Sequence, residues 1–259
     1  MKAVVLAAGY ATRLYPLTEK VAKSLLPVGG RPMLDWILDR IVEVGEVDAA
    51  HVVTNRKFAD SFFTWAEAHE RDLRIDVHDD GTTSEEDRLG AIGDIRFVVE
   101  QAGLEDDDLF VVAGDNLFDF SLAEFVRFWR GKGAASAVAV CDVADLELAA
   151  KLGVISMDGD DRIVEFVEKP ERPTSTLAAT AAYIYRCADV ALIDTYLAEQ
   201  NSPDQPGRYL GWLSARQPVY GYRFEGTWFD IGDREQLLEA DNTLRAREGL
   251  PQRADYSAD

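Results

Sequence analysis

Apolar residues in the first half of the chain alternate between short continuous runs and stripes at helical spacing. Lys2-Ala3-Val4-Val5-Leu6-Ala7 is a short apolar run with glycine close behind it, the pattern of a buried strand. After a polar loop, Leu34, Ile37, Leu38, Ile41 and Val42 recur at i, i+3, i+4, i+7 and i+8. Pro32 stands at the first helical position there, and Gly45 closes the segment. The pattern then predicts a strand at His51-Val52-Val53-Thr54, a helix through Phe62 and Trp65, and a strand over 73–77. A helix from Ala91 to Gln101 and a strand over 109–113 follow. Strands alternating with helices at this spacing predict right-handed β-α-β crossovers and a mainly parallel sheet flanked by helices, a Rossmann-like α/β class.

The second half has a different pattern. Residues 153–157 and 162–167 predict a hairpin closed by the acidic turn Asp158-Gly159-Asp160-Asp161. Thr180 to Arg186 reads as a strand, Ala188 to Gln200 as a helix, and Asn201 to Gly207 as a loop. Val219 to Ile231 is strand-like, and Arg234 to Glu248 forms a terminal helix. Residues 251–259 lack periodicity and are expected to be loose. No repeat and no linker separates independent domains. The expectation is one continuous α/β domain over 1–250, whose second half, 136–250, inserts antiparallel strands beside a first half at 1–135.

A chain of 259 residues can bury a real core, and 47% hydrophobic with 29% charged residues is globular rather than disordered composition. No apolar run reaches the roughly 18 residues of a membrane span, and the first apolar stretch is too short for a signal peptide. Cys141 and Cys187 lack metal or redox spacing, so a reducing, cytoplasmic setting is expected. Lys and Arg number 27 against 47 Asp and Glu, a net charge of −20. That balance argues against nucleic acid or an anionic membrane as partner, and requires local cations for any anionic substrate.

Ligands of parallel α/β sheets collect at the carboxyl ends of strands, and the first such end is Leu6-Ala7-Ala8-Gly9-Tyr10-Ala11-Thr12-Arg13. After Leu6, the small residues Ala7, Ala8 and Gly9 allow close backbone approach with amides as donors. Thr12 and Arg13 offer a hydroxyl and a planar guanidinium suited to phosphate, and Lys23 adds a point charge. A glycine turn with surface cations fits the same residues. No G-x-G-x-x-G, Walker A loop or G-x-S-x-G elbow is present. Asp115, after an apolar strand and Gly114, and Asp230, after Trp228-Phe229, are candidate ligands for a hard cation; each also reads as a cap or turn residue. Lys169, before Pro170, is expected to be extended at a strand end, and a solvated lysine beside the acidic hairpin fits the same residue. Gly153 allows backbone approach or simply starts a strand, and Trp228 stacks on a ligand or fills core.

The stretch Leu6 to Leu14, Pro16-Leu17-Thr18, Lys23-Ser24-Leu25-Leu26-Pro27-Val28 and Pro32-Met33 closely resembles the signature of sugar-1-phosphate nucleotidylyltransferases, also called NDP-sugar pyrophosphorylases. Gly114-Asp115, Glu168-Lys169-Pro170 and Trp228-Phe229-Asp230-Ile231-Gly232 extend the resemblance over nearly the whole chain. Ala11 stands where many members have a second glycine, and Val21-Ala22 replaces the commoner Lys-Pro.

The resemblance implies the nucleotide-diphospho-sugar transferase fold without a C-terminal β-helix, a nucleotide-binding first half and a sugar-phosphate-binding second half. It implies Mg²⁺ held by Asp115 and Asp230, Glu168 on sugar hydroxyls and Lys169 on the sugar phosphate. The reaction implied is attack by a sugar-1-phosphate oxygen on the α-phosphorus of an NTP, with pyrophosphate leaving. Arg13 and Lys23 would neutralise charge in that step, and homo-oligomers are usual in the family. The family reads the base with residues between the third strand and the next helix. Here Arg88 and Gly90 are the candidates, the Gln of thymidylyltransferases is absent, and dTTP, UTP, GTP, ATP and CTP all stay open. Alternatives are transfer to phosphocholine or a cyclitol phosphate, and a non-catalytic nucleotide-sugar-binding regulator.

Overall fold

The computed structural model describes residues 1–69 and 72–258. The fold is mixed α/β, with a mainly parallel central sheet flanked by helices. The chain forms two compact units that interleave along the sequence. The first comprises Met1–Val4, Leu89–Val112 and Phe120–Glu225; the second comprises Val5–Arg88, Ala113–Asp119 and Gly226–Asp259. Among the described residues no helix is long and apolar enough to cross a membrane.

In the second unit, strand Ala49–Thr54 is buried along its whole length, as a strand covered on both faces must be. It pairs in parallel with Arg74–Asp79, and helix Ala59–Glu67 makes the crossover between them. Helix Met33–Val42 buries Met33, Leu34, Ile37, Leu38 and Ile41, the stripe visible in the sequence. Pro32 is its extended N-cap rather than its first helical residue, because it pairs with Pro27 in a short two-stranded ribbon. Helix Arg234–Arg247 starts at Asp233, whose side chain accepts from Gln236 N at 2.9 Å.

The segment after Leu250 is not loose over 251–258. Asn242 exchanges two hydrogen bonds with the Arg253 backbone, at 2.7 and 2.8 Å. Tyr256 is buried and donates its hydroxyl to Pro27 O at 2.8 Å. One buried aromatic and a few polar bonds hold the segment, and such scattered contacts leave no periodic trace in a sequence.

In the first unit, strands Gly153–Met157 and Ile163–Glu168 form the expected antiparallel hairpin. Strand Leu177–Tyr185 pairs antiparallel with Gly153–Met157, with Leu109–Ala113 and with Ala137–Asp142. Its pairing with the last is broken by a register shift between Ala179 and Tyr183. Tyr220–Arg223 adds to Ala137–Asp142 in parallel. The helix expected over 188–200 is two short ones, Cys187–Val190 and Ile193–Ala198. The strand-like stretch 219–231 is likewise two strands in different units, Tyr220–Arg223 and Trp228–Asp230. Helix Pro206–Ser214, with proline in its first turn, begins inside the segment read as a loop.

Candidate functional site

In the second unit, strands Asn116–Phe118 and Trp228–Asp230 pair antiparallel, with Asp230 opposite Asn116. Buried Asn116 donates from one amide nitrogen to Asp115 Oδ1 at 2.9 Å and to Asp230 Oδ1 at 3.2 Å. The Trp228 indole donates to Asn116 Oδ1 at 2.7 Å. An indole N–H can only donate, so the amide oxygen must face Trp228 and the NH₂ must face the carboxylates. Asp115 and Asp230 are thus gathered about one donor, Asp115 half-buried and Asp230 exposed to solvent.

The other oxygen of Asp115 accepts from Lys23 Nζ at 2.6 Å. Gly114 permits this approach: a Cβ there would stand 2.7 Å from Ser24 Oγ and 3.0 Å from Leu6 O. Burial pushes the Asp115 carboxyl up, but the Lys23 charge and hydrogen bond, helped by the Asn116 amide, hold it below its ordinary value.

The loop after the first strand is pinned from beneath. Ala7 N donates to Val53 O at 2.9 Å, Asn55 Nδ2 to Ala8 O at 2.8 Å, and Thr18 Oγ1 to Ala11 O at 2.7 Å. Ala11 has φ +49°, the left-handed region where glycine is strain-free, which gives the physical reason a glycine suits that position. A Cβ on Gly9 would meet nothing within 4 Å, so the backbone there faces open space. Thr12 donates to Glu85 Oε2 at 3.3 Å, while Arg13 is exposed and forms no hydrogen bond or ion pair among the described residues. Arg88 is held by Glu85, donating to its carbonyl at 3.1 Å and its carboxylate at 3.2 Å.

The remaining candidates lie in the first unit. Gly90, φ +77°, precedes helix Ala91–Ala102, and a Cβ there would stand 2.8 Å from Pro203 O and Asp204 Oδ1. The chain's own packing requires that glycine. Gly153 lies opposite Glu168 in the hairpin, and a Cβ on it would stand 3.2 Å from Glu168 Oε2.

Lys169 departs from the extended conformation expected before proline. Its φ is +47°, and its N–H donates to Leu152 O at 2.9 Å, closing the hairpin's open end. A left-handed lysine costs about 1 kcal/mol, and such residues concentrate at functional sites.

The nucleotidyl transferase family model matches residues 2–247. The chain belongs to that family. A Sulfolobus acidocaldarius protein provisionally named a mannose-1-phosphate guanyltransferase is 30% identical over 233 residues, covering 90% of this chain and 60% of that protein. The glucose-1-phosphate adenylyltransferase of Clostridium acetobutylicum is 27% identical over 256 residues, covering 93% and 66%. The solved UDP-glucose pyrophosphorylase complexed with UDP-glucose shares the fold, with a TM-score of 0.81 at 22% identity over 95% of this chain and 98% of that one. This nucleotidyl transferase therefore spans between 60% and 66% of the length of those two curated relatives.

Two asparagines, one between the carboxylates and one beneath the first loop, escape sequence reasoning as site residues. Asn116 after a Gly-Asp pair looks like a turn residue, and Asn55 after a buried strand looks like a cap. Strand register with Trp228–Asp230 gives the first its meaning, and the Ala8 carbonyl gives it to the second.

Proposed function

We propose that this nucleotidyl transferase moves a nucleoside monophosphate from an NTP to a sugar-1-phosphate, releasing an NDP-sugar and pyrophosphate, with Mg²⁺ as cofactor in a cytoplasmic setting. The observation that carries the reading is the single Asn116 amide nitrogen shared by Asp115 and Asp230. Two carboxylates from distant strands, gathered about one amide donor with a lysine ammonium beside them, are the protein share expected of a Mg²⁺ site at which polyanions bind. The residues therefore fit the metal. Asp115 and Asp230 would hold it, and when bound it supplies charge neutralisation to the substrate phosphates.

The chain's own groups do the rest. A sugar-phosphate oxygen forms the new bond to the α-phosphorus as the bond from that phosphorus to the β-phosphate oxygen breaks. No protein nucleophile enters, so positioning and charge are what the protein contributes. Exposed Arg13, without an ion pair among the described residues, suits the departing pyrophosphate, where its planar fork matches phosphate oxygens. Lys23, held against Asp115, presents its remaining ammonium hydrogens to the α-phosphate. Leu6 to Gly9 and Thr12 supply the backbone and hydroxyl contacts to the nucleotide. In the first unit, Glu168 and the turned Lys169 are the proposed contacts to sugar hydroxyls and sugar phosphate, with Gly153 beside them. Trp228 acts through Asn116 rather than as a stacking platform.

Relatives named for guanyl, adenylyl and uridyl transfer leave the base unassigned, and the Glu85-bound Arg88 does not select among them. The test is pyrophosphate release from five NTPs against a panel of sugar-1-phosphates, phosphocholine and a cyclitol phosphate. One productive sugar pair is expected, and Asp115→Asn should lower its turnover by about 10³-fold. No release with any sugar phosphate overturns the reading; release with phosphocholine alone transfers it to the other acceptor class.

A further inference from the structure

Helix Pro206–Ser214 carries glycines at positions 207 and 211, one turn apart on the same face. An interior glycine such as Gly211 costs a helix about 1 kcal/mol relative to alanine, and a second glycine on the same face in the first turn calls for a reason. The reason is the ring of Phe166. A Cβ on Gly211 would stand 2.9 Å from Phe166 Cδ1, and one on Gly207 would be nearer still to Phe166 Cζ. Gly153, on the neighbouring strand of the hairpin, closes the same slot, where a Cβ would stand 2.8 Å from both Cε2 and Cζ. The three glycines are bare on the sides that face this one ring.

Phe166 and Glu168 are two residues apart on strand Ile163–Glu168, so they share a face. Glu168 Oε2 lies 3.2 Å from the Cβ position of Gly207 and 3.2 Å from that of Gly153. The slot that seats the ring therefore also borders the carboxylate. The depth to which the ring enters sets how closely the strand end approaches the helix, and with it where Glu168 points.

We propose that Phe166 is a positioning residue for sugar recognition, seated among Gly153, Gly207 and Gly211 and acting through Glu168. The inference rests on the assignment of Glu168 to the sugar in the proposed function. A methyl group added at position 207 pushes the ring outward and moves the strand end with it. Relieving so close an overlap displaces the ring and the carboxylate with it, which weakens sugar-phosphate binding and leaves NTP binding untouched.

The experiment compares wild type, Gly207→Ala, Phe166→Leu and the double variant on the productive substrate pair. Gly207→Ala is expected to raise the sugar-phosphate KM about tenfold while the NTP KM stays within about twofold. Leucine removes the ring atoms that the new methyl meets, so the double variant should recover to within about threefold of wild type. An alanine in an ordinary helix position stabilises, so a merely structural glycine would give a higher Tm and unchanged KM values. That result overturns the proposal, as does an equal rise in both KM values. If Gly207→Ala does not fold, Phe166→Leu carries the test alone, with the same selective rise at about threefold. Wild type that neither turns over nor binds a sugar-1-phosphate by calorimetry overturns the function itself. Wild type that does so while the variants match it overturns only the role of Phe166.

Discussion

Asn116 shows what a neutral amide does between two like charges. Its two N–H groups face Asp115 and Asp230, and its oxygen is claimed by an indole that can only donate. Removing the amide as Asn116→Ala leaves the carboxylates to repel each other and the indole without an acceptor. Turnover is expected to fall about 10²-fold at saturating NTP, with the melting curve still cooperative. Trp228→Phe removes only the orienting donor, so its loss should be nearer tenfold. Equal losses in the two variants would mean that the indole, rather than the amide, organises the pair. The position of Asp115 at the end of an apolar strand was legible in the sequence, although Gly-Asp there also reads as a cap or turn. Asn116 was not, since its partner Asp230 lies 114 positions away and only register brings them together. Lys169 misled for a related reason: the preference of a residue before proline is local, and a backbone bond to Leu152 overrides it.

At the scale of elements, segments with a regular apolar period were readable and segments held by one or two contacts were not. The stripe of helix Met33–Val42 and the runs of strands Ala49–Thr54 and Leu109–Ala113 each repeat one signal several times. The segment over 251–258 has one buried aromatic and the Asn242–Arg253 bonds instead. Tyr256→Ala is expected to destabilise by about 3 kcal/mol in urea titrations, because it empties a buried site and frees Pro27 O. A change below about 0.5 kcal/mol would show the segment detached in solution. Strand Arg74–Asp79 carries a second consequence. His78 Nε2 lies 3.0 Å from His51 Nδ1, and burial pushes the His78 pKa below its ordinary 6.5, opposed in part by Asp76. The unfolded chain then binds the proton more readily than the folded one. Stability is full above the ordinary value and is lost as pH falls from there through the lower folded value. Tm should drop between about pH 7.5 and pH 5.5, and His78→Gln should flatten that drop. A Tm that rises on acidification in wild type would reverse the assignment.

At the scale of the molecule, a net charge of −20 has to coexist with the two polyanionic substrates of the proposed reaction. Distance and salt decide which charges are felt. At about 0.01 M ionic strength the screening length is about 30 Å, so remote carboxylates act together against any approaching phosphate. At about 0.15 M it shortens to about 8 Å, and an anion at the site feels mainly Arg13, Lys23 and their immediate neighbours. Rising salt therefore first removes the global repulsion and only later weakens the local attraction. The expected profile of kcat/KM against NaCl rises from the lowest salt, peaks, and declines as the nearby cations are screened in turn. Arg13 is the sharpest probe of the second limb, because it is exposed and makes no ion pair among the described residues. Arg13→Ala should lower kcat/KM most around the peak and leave the low-salt rise intact, since the background of acidic residues is unchanged. A wild-type profile that only declines from the lowest salt would place control with the local cations at every distance, and the acidic surface would then have no kinetic consequence.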